Sequence, residues 1–221
     1  MRPYKYILVF AAIALLINYT SAQNQVPEEA LLTAEKGLAQ FKNLVTETNY
    51  KDFGFETPEE ISKAVLGEPI REFMVGLNEL KEYRPEDDPR ILLKDGDEYT
   101  YPVTAANHVR ASLTVGKKGN RWKLVSFGSP YTSKLIAKTL ERRCTERLPR
   151  SSYFIVKVPA LYYFFLGYRQ GDRLLIIPLS DDRKLDFQAG RTIPSERAFA
   201  LLSKSVSSKM KMRTTTPILL D

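Results

Sequence analysis

The eight residues from Leu161 to Tyr168 read Leu-Tyr-Tyr-Phe-Phe-Leu-Gly-Tyr, with no charged side chain among them. Strand side chains point alternately to the two faces of a sheet, so a strand here is apolar on both. Such a strand belongs in the middle of a sheet that is covered on each side. Its neighbours fit that place: Tyr153 to Val158 and Arg173 to Leu179 are also strand-like, and the second is joined to the apolar run by the short turn Arg169-Gln170-Gly171-Asp172.

An earlier block has the same character. Glu98 to Ala105, Val109 to Val115 and Arg121 to Phe127 are three strand-like segments separated by Ala106-Asn107-His108 and by Gly116-Lys117-Lys118-Gly119-Asn120, which predicts an antiparallel meander. Leu113, Val115, Val109 and Ala111 are expected on one side, while Trp122, Leu124 and Ser126 alternate against Lys123, Val125 and Phe127. Ile70 to Leu77 is a further candidate strand, followed by a helical Asn78 to Tyr83.

Helices are predicted around these blocks. Leu31, Leu32, Leu38, Phe41, Leu44 and Val45 recur at helical spacing between Glu28 and Thr46. Thr57-Pro58-Glu59-Glu60 has the form of a capping box and predicts a second helix from there to Leu66. Gly128-Ser129-Pro130 opens a third that runs to about Leu148, with Ile136, Leu140, Cys144 and Leu148 on one side. Pro194 to Ser205 is the fourth. The expected fold class is therefore α+β: a mainly antiparallel sheet of about six to seven strands, with N-terminal helices and a helix after each strand block. The plan is similar, in architecture alone, to that of cystatin-like or nuclear-transport-factor-like exported domains, with no motif that carries residues across.

The N-terminus reads as an export signal. Two basic residues precede an unbroken apolar run from Ile7 to Ile17, which is too short to span a bilayer, and Thr20-Ser21-Ala22 offers a cleavage site before Gln23. This divides the chain into a signal (1–22), one exported α+β domain (23–208), with two similar halves (23–130 and 131–208) as an alternative description, and a loose basic tail (209–221). No later stretch is long and apolar enough for a membrane span, so a periplasmic or secreted address is expected. Cys144 is the only cysteine, which excludes a disulfide framework and leaves burial to stabilise the fold.

Residues 23–130 carry 14 basic and 18 acidic side chains, whereas 131–221 carry 17 basic and 8 acidic. A net +9 in the second part is compatible with anionic lipid or polysaccharide as a partner, or with ordinary solvated faces. An exported address disfavours nucleic acid.

Chemistry-bearing residues are sparse. His108 is the only histidine, which excludes a histidine-based metal cage. It sits at an apparent turn and is either a turn residue or, with a nucleophile nearby, a general base. Cys144 lies beside Arg142, Arg143 and Arg147, which would favour a thiolate, but its spacing from Ile136 and Leu140 puts it on the apolar stripe. The acidic groups Glu86-Asp87-Asp88, Asp95 with Asp97, and Asp181-Asp182 lack calcium-loop spacing and are read as turn formers. No phosphate-cradling glycine cluster or Gly-x-Ser-x-Gly elbow occurs, so no catalytic residue, metal or cofactor is assigned. Aromatic density around Tyr162 and Phe164 is either core or a pocket wall. Those two residues, with Arg142 and Arg143 as an anion-facing pair, are the candidate ligand contacts. The function expected is a non-enzymatic exported module that binds a protein, an envelope component or a small apolar ligand. A hydrolase or thiol enzyme using His108 or Cys144 and a binder of anionic surfaces are the alternatives.

Overall fold

The structure is a computed structural model that describes residues 26–144 and 148–214, without the side chains of residue 144 and of 208–214. In chain order its elements are α1 (Glu28–Leu44), α2 (Glu59–Ser62), β1 (Val65–Leu66), β2 (Ile70–Met74), α3 (Leu77–Glu82), β3 (Lys94–Ala105), β4 (His108–Lys118) and β5 (Arg121–Gly128), followed by α4 (Pro130–Cys144), β6 (Tyr153–Val158), β7 (Tyr163–Gln170), β8 (Arg173–Pro178), β9 (Ile193–Pro194) and α5 (Ser195–Thr214). The signal segment and its cleavage site lie outside the described residues.

The class is α+β, with a sheet of nine strands where six to seven were expected. Eight strands run in the order β5-β4-β3-β2-β6-β7-β8-β9, and β1 pairs separately with β3. Every pairing is antiparallel except that of β2 with β6, where Glu72 lies opposite Ile155 and Met74 opposite Lys157. This one parallel seam divides the sheet, with the β2–β5 meander on one side and β6–β9 on the other. As the two-faced apolar run requires, β7 is interior: Phe165 and Leu166, adjacent in sequence and both fully buried, enter different cores.

Three apolar clusters hold the layers together. On one face α4 brings Ile136 and Leu140 onto Ile70, Ile155, Leu166 and Ile177. On the other face α5 and α3 cover Val156, Phe165 and Ile176 with Phe199, Leu202 and Leu80. Also on that face, α1 covers Tyr101, Val103, Leu113 and Val115.

Several local expectations are corrected. In α1 the buried stripe is Ala30, Ala34, Gly37 and Phe41, while Leu31, Leu32 and Leu44 are exposed; small residues let the helix lie close against the sheet, which apolar spacing alone does not show. The helix expected from Thr57 to Leu66 is a single turn, and Val65–Leu66 instead pair with Val103 and Thr104 as β1. The third helix is described through Cys144, residues 145–147 lie outside the described residues, and Leu148 is not helical. The apolar run begins with a short 3-10 turn over Pro159–Leu161, so the strand starts at Tyr163. The last helix continues through Thr214, so the segment read as loose from residue 209 is helical for six residues, and 215–221 lie outside the described residues. A bulge in the β4–β5 ladder between Thr114 and Val115 puts Phe127 in the same cluster as Trp122 and Leu124. Ser126 is thereby left on the opposite face, the face of α4.

Candidate functional site: a polar cleft at the start of α4

α4 begins just past the end of β5, where Gly128 lies opposite Ser112. A Cβ at Gly128 would meet the Ser112 hydroxyl at 2.1 Å, so glycine is what lets the chain turn upward this close to β4. The helix then crosses over the apolar part of the sheet. Around its first turn the sheet floor changes character, because Glu72 of β2, Thr100 of β3, Thr114 of β4, Ser126 of β5 and Lys157 of β6 all face the same space. With Ser129, Thr132 and Ile136 of the helix start and Phe164 of β7, they line a cleft of about 200 Å³.

The floor holds a buried ion pair. Glu72 is 3% exposed and pairs through Oε2 with the Lys157 ammonium, whose side chain is 24% exposed and reaches in from the neighbouring parallel strand. Oε1 of Glu72 accepts a hydrogen bond from the Thr100 hydroxyl, and Thr100 lies 2.7 Å from the Thr114 hydroxyl. Thr100 has one proton and gives it to the carboxylate, so Thr114 must be the donor in that second bond. The chain Thr114 to Thr100 to Glu72 is thus oriented, and the remaining lone pairs of Thr114 can still accept. The wall is tied down by Ser133, which donates to Ser112 at 2.8 Å. Glu98 stands opposite Glu72 in the β2–β3 ladder and is neutralised by Lys118 at 3.4 Å.

A wider groove of about 400 Å³ lies along α4 and contains His108, with Glu56, Arg110, Lys134, Lys138 and Glu141. Arg110 is the structural piece. Its side chain is 4% exposed and donates to Glu56 Oε1 at 2.6 Å and to Glu60 Oε1 at 2.5 Å, joining β4 to the start of α2. Glu60, the residue that read as a capping glutamate, also accepts from the Glu56 amide at 2.8 Å. Burial alone would raise the Glu60 pKa, but the Glu56 amide and the Arg110 guanidinium outweigh it and hold the carboxyl below its ordinary range. Among the described residues lining this groove there is no serine, threonine or cysteine, and His108 shares it with lysines, an arginine and carboxylates.

Of the four candidate contacts, the structure places Phe164 in the cleft wall. Tyr162, two residues earlier, is 89% exposed and holds a left-handed backbone (φ 59°) at the turn into β7. Arg142 and Arg143 occupy the far end of α4, about 16 Å along the helix axis from Thr132. Arg142 is exposed, and Arg143 donates to the Gly190 carbonyl of the loop before β9. The four therefore do not form one site. The Cys144 side chain lies outside the described residues. The acidic groups are turn formers: Asp88 accepts from the Arg90 amide at 2.9 Å, Asp182 from the Lys184 amide at 2.8 Å and Asp181 from the Ala189 amide at 2.7 Å. Among the described residues, no group of three or more histidine, cysteine or acidic side chains could hold a metal ion.

The cleft residues Glu72, Thr100, Thr114 and Lys157 were missed in the sequence, although a signal was present. Lys157 stands between Val156 and Val158 in a strand that is otherwise apolar, and Thr100, Ser112, Thr114 and Ser126 alternate with Tyr101, Leu113, Val115 and Phe127, marking one polar face. Comparison of the chain with protein-family models, with curated proteins and with solved structures finds no match.

Proposed function

We propose that this chain is an exported, non-enzymatic binding module that holds a small polar ligand in the cleft at the start of α4. The observation that carries the reading is the Glu72–Lys157 pair facing that cleft from the floor of the sheet. Desolvating the Glu72 carboxylate costs several kcal/mol, and a well-packed apolar pair of similar volume would serve packing as well or better. A charged pair beside an oriented hydroxyl chain supports recognition as the reason for its presence. The hydroxyls and the charged pair in the lining favour a polar small ligand over the apolar one expected from the aromatic strand. The exported address rests on the Ile7 to Ile17 run and the Ala22–Gln23 cleavage site. Among the described residues, no helix is long and apolar enough to cross a membrane.

The test begins with protein recovered from outside the cytoplasm, whose N-terminal sequence is expected to start near Gln23; a start at Met1 in that material refutes the address. The same protein is then screened by thermal shift against small polar compounds beside a Glu72→Gln/Lys157→Met double variant. A ligand present at 100 times its Kd stabilises by about 2.7 kcal/mol, and that gain is expected to vanish in the double variant. Stabilisation that persists in the variant would place the ligand elsewhere.

A further inference from the structure

The chemistry of the lining narrows the ligand, provided the cleft is the binding site as proposed. Among the described residues, Glu72 and Lys157 are the charged side chains lining it, and their formal charges cancel. An anionic ligand would have to compete with Glu72 for Lys157, and a cationic one with Lys157 for Glu72. In either case the pairing that neutralises the buried Glu72 carboxylate is disturbed, which weakens binding. A neutral ligand keeps the pair. Glu72 is covered and held between Thr100 and Lys157, so what the pair offers such a ligand is the part-exposed ammonium, which has three donors and can give one to a ligand hydroxyl while keeping Glu72. A ring hydroxyl meets that arrangement.

The rest of the wall agrees. Thr114 can accept, and the hydroxyls of Ser126 and Thr132 can both donate and accept, as a sugar hydroxyl does. Phe164 supplies an aromatic surface for the C–H bonds of a ring. Size sets the limit. A volume of about 200 Å³ corresponds to about seven waters at about 30 Å³ each, which suits one ring of about a dozen heavy atoms and falls below the range of drug-sized ligands. We infer that the cleft binds a single hexose-sized neutral sugar unit, held by Lys157, with Glu72 behind it, and by the hydroxyls of Ser126 and Thr132, and seated against Phe164.

Isothermal titration of the mature chain with glucose, galactose, mannose and N-acetylglucosamine tests this, with glycine, glutamate and inorganic phosphate as the charged comparison. At least one sugar is expected to saturate with a Kd of about 1 mM or tighter. Phe164→Leu and the Glu72→Gln/Lys157→Met double variant are each expected to weaken it at least tenfold, and Arg142→Ser to leave it unchanged. Circular dichroism identifies any variant that fails to fold, and Phe164→Leu, which keeps the ion pair, covers a failure of the double variant. Methyl glycosides and short oligosaccharides, titrated in parallel, separate a free sugar from the terminal unit of a glycan. If no sugar binds while an amino acid or phosphate does so in a Lys157-dependent way, the sugar assignment is overturned and the cleft stands. If a sugar binds equally well to all variants, the cleft reading falls with it, and if none of these compounds binds, the sugar assignment is overturned outright.

Discussion

Arg110 shows how a charged residue can be built into this fold without serving a ligand. Its guanidinium is almost fully covered, Glu60 beside it is 12% exposed, and Glu56 completes the bracket from a largely exposed position. Removing the cation leaves Glu60 partly buried without its partner, so Arg110→Met is expected to cost about 3 kcal/mol at neutral pH. Because the Glu60 pKa is lowered in the folded protein, the stability it contributes is fully present above its unfolded value of about 4.3 and is lost as pH falls through the lower folded value. The gap between native protein and Arg110→Met should therefore narrow on acidification. Urea unfolding of both at about pH 7 and about pH 3 checks it. An equal gap at the two values would assign the loss to packing of the arginine stem and not to charge.

At the scale of elements, the strands were legible where their patterns were local. The β3–β5 meander and the β6–β8 block follow from alternation and from turn residues, and the two-faced apolar run correctly implied an interior strand. What could not be read was set by distant partners. Val65–Leu66 became β1 because β3 offers Val103 and Thr104, and the helical turn after Thr57 has Pro58 at its N-cap and no side-chain cap, with Glu60 held instead by Arg110 and the Glu56 amide. The parallel seam between β2 and β6, which brings Glu72 to Lys157, leaves no local trace, so the cleft could not be assembled from sequence even though Lys157 stood out as a charge in an otherwise apolar strand. A second close fit leads to a measurable expectation. Gly167 of β7 lies opposite Phe154, and a Cβ there would meet the ring at 2.3 Å. Phe154 in turn packs edge-on against Phe73 of β2, with centroids 5.0 Å apart, so the ring spans the seam. Gly167→Val should force it out and cost about 1–3 kcal/mol by overpacking. Pairing that change with Phe154→Leu should recover part of the loss, which thermal or urea unfolding of the three variants would show.

Across the whole molecule, the strand order converts a charge difference along the chain into one in space. The strands of 23–130, a segment with net charge −4, lie on one side of the seam, and those of 131–208 lie on the other, within a segment (131–221) of net +9. α4 blurs the division, since it packs on β4 and carries Lys134 and Lys138 back over the acidic side, while Arg143 at its far end reaches the loop before β9. Several of these cations are already engaged: Lys134 donates to the Gly54 carbonyl at 3.3 Å, Lys157 is held by Glu72, and Arg197 pairs with Asp186 at 2.7 Å. The excess is therefore spread over separated surface positions. Exposed charges of this kind are screened beyond about 8 to 10 Å at moderate salt, whereas a partly buried pair or a bidentate arginine contact is screened much less. Attachment to acidic vesicles or to an anionic resin is accordingly expected at low ionic strength and should fade steeply as salt rises to about 0.5 M, where the Debye length falls to a few ångströms. Retention measured across that range decides between diffuse attraction and a defined anion site. Tight binding that survives the high-salt end would overturn the diffuse reading and direct attention to Arg142, Arg143 and Arg150, whose replacement by serine should then abolish it.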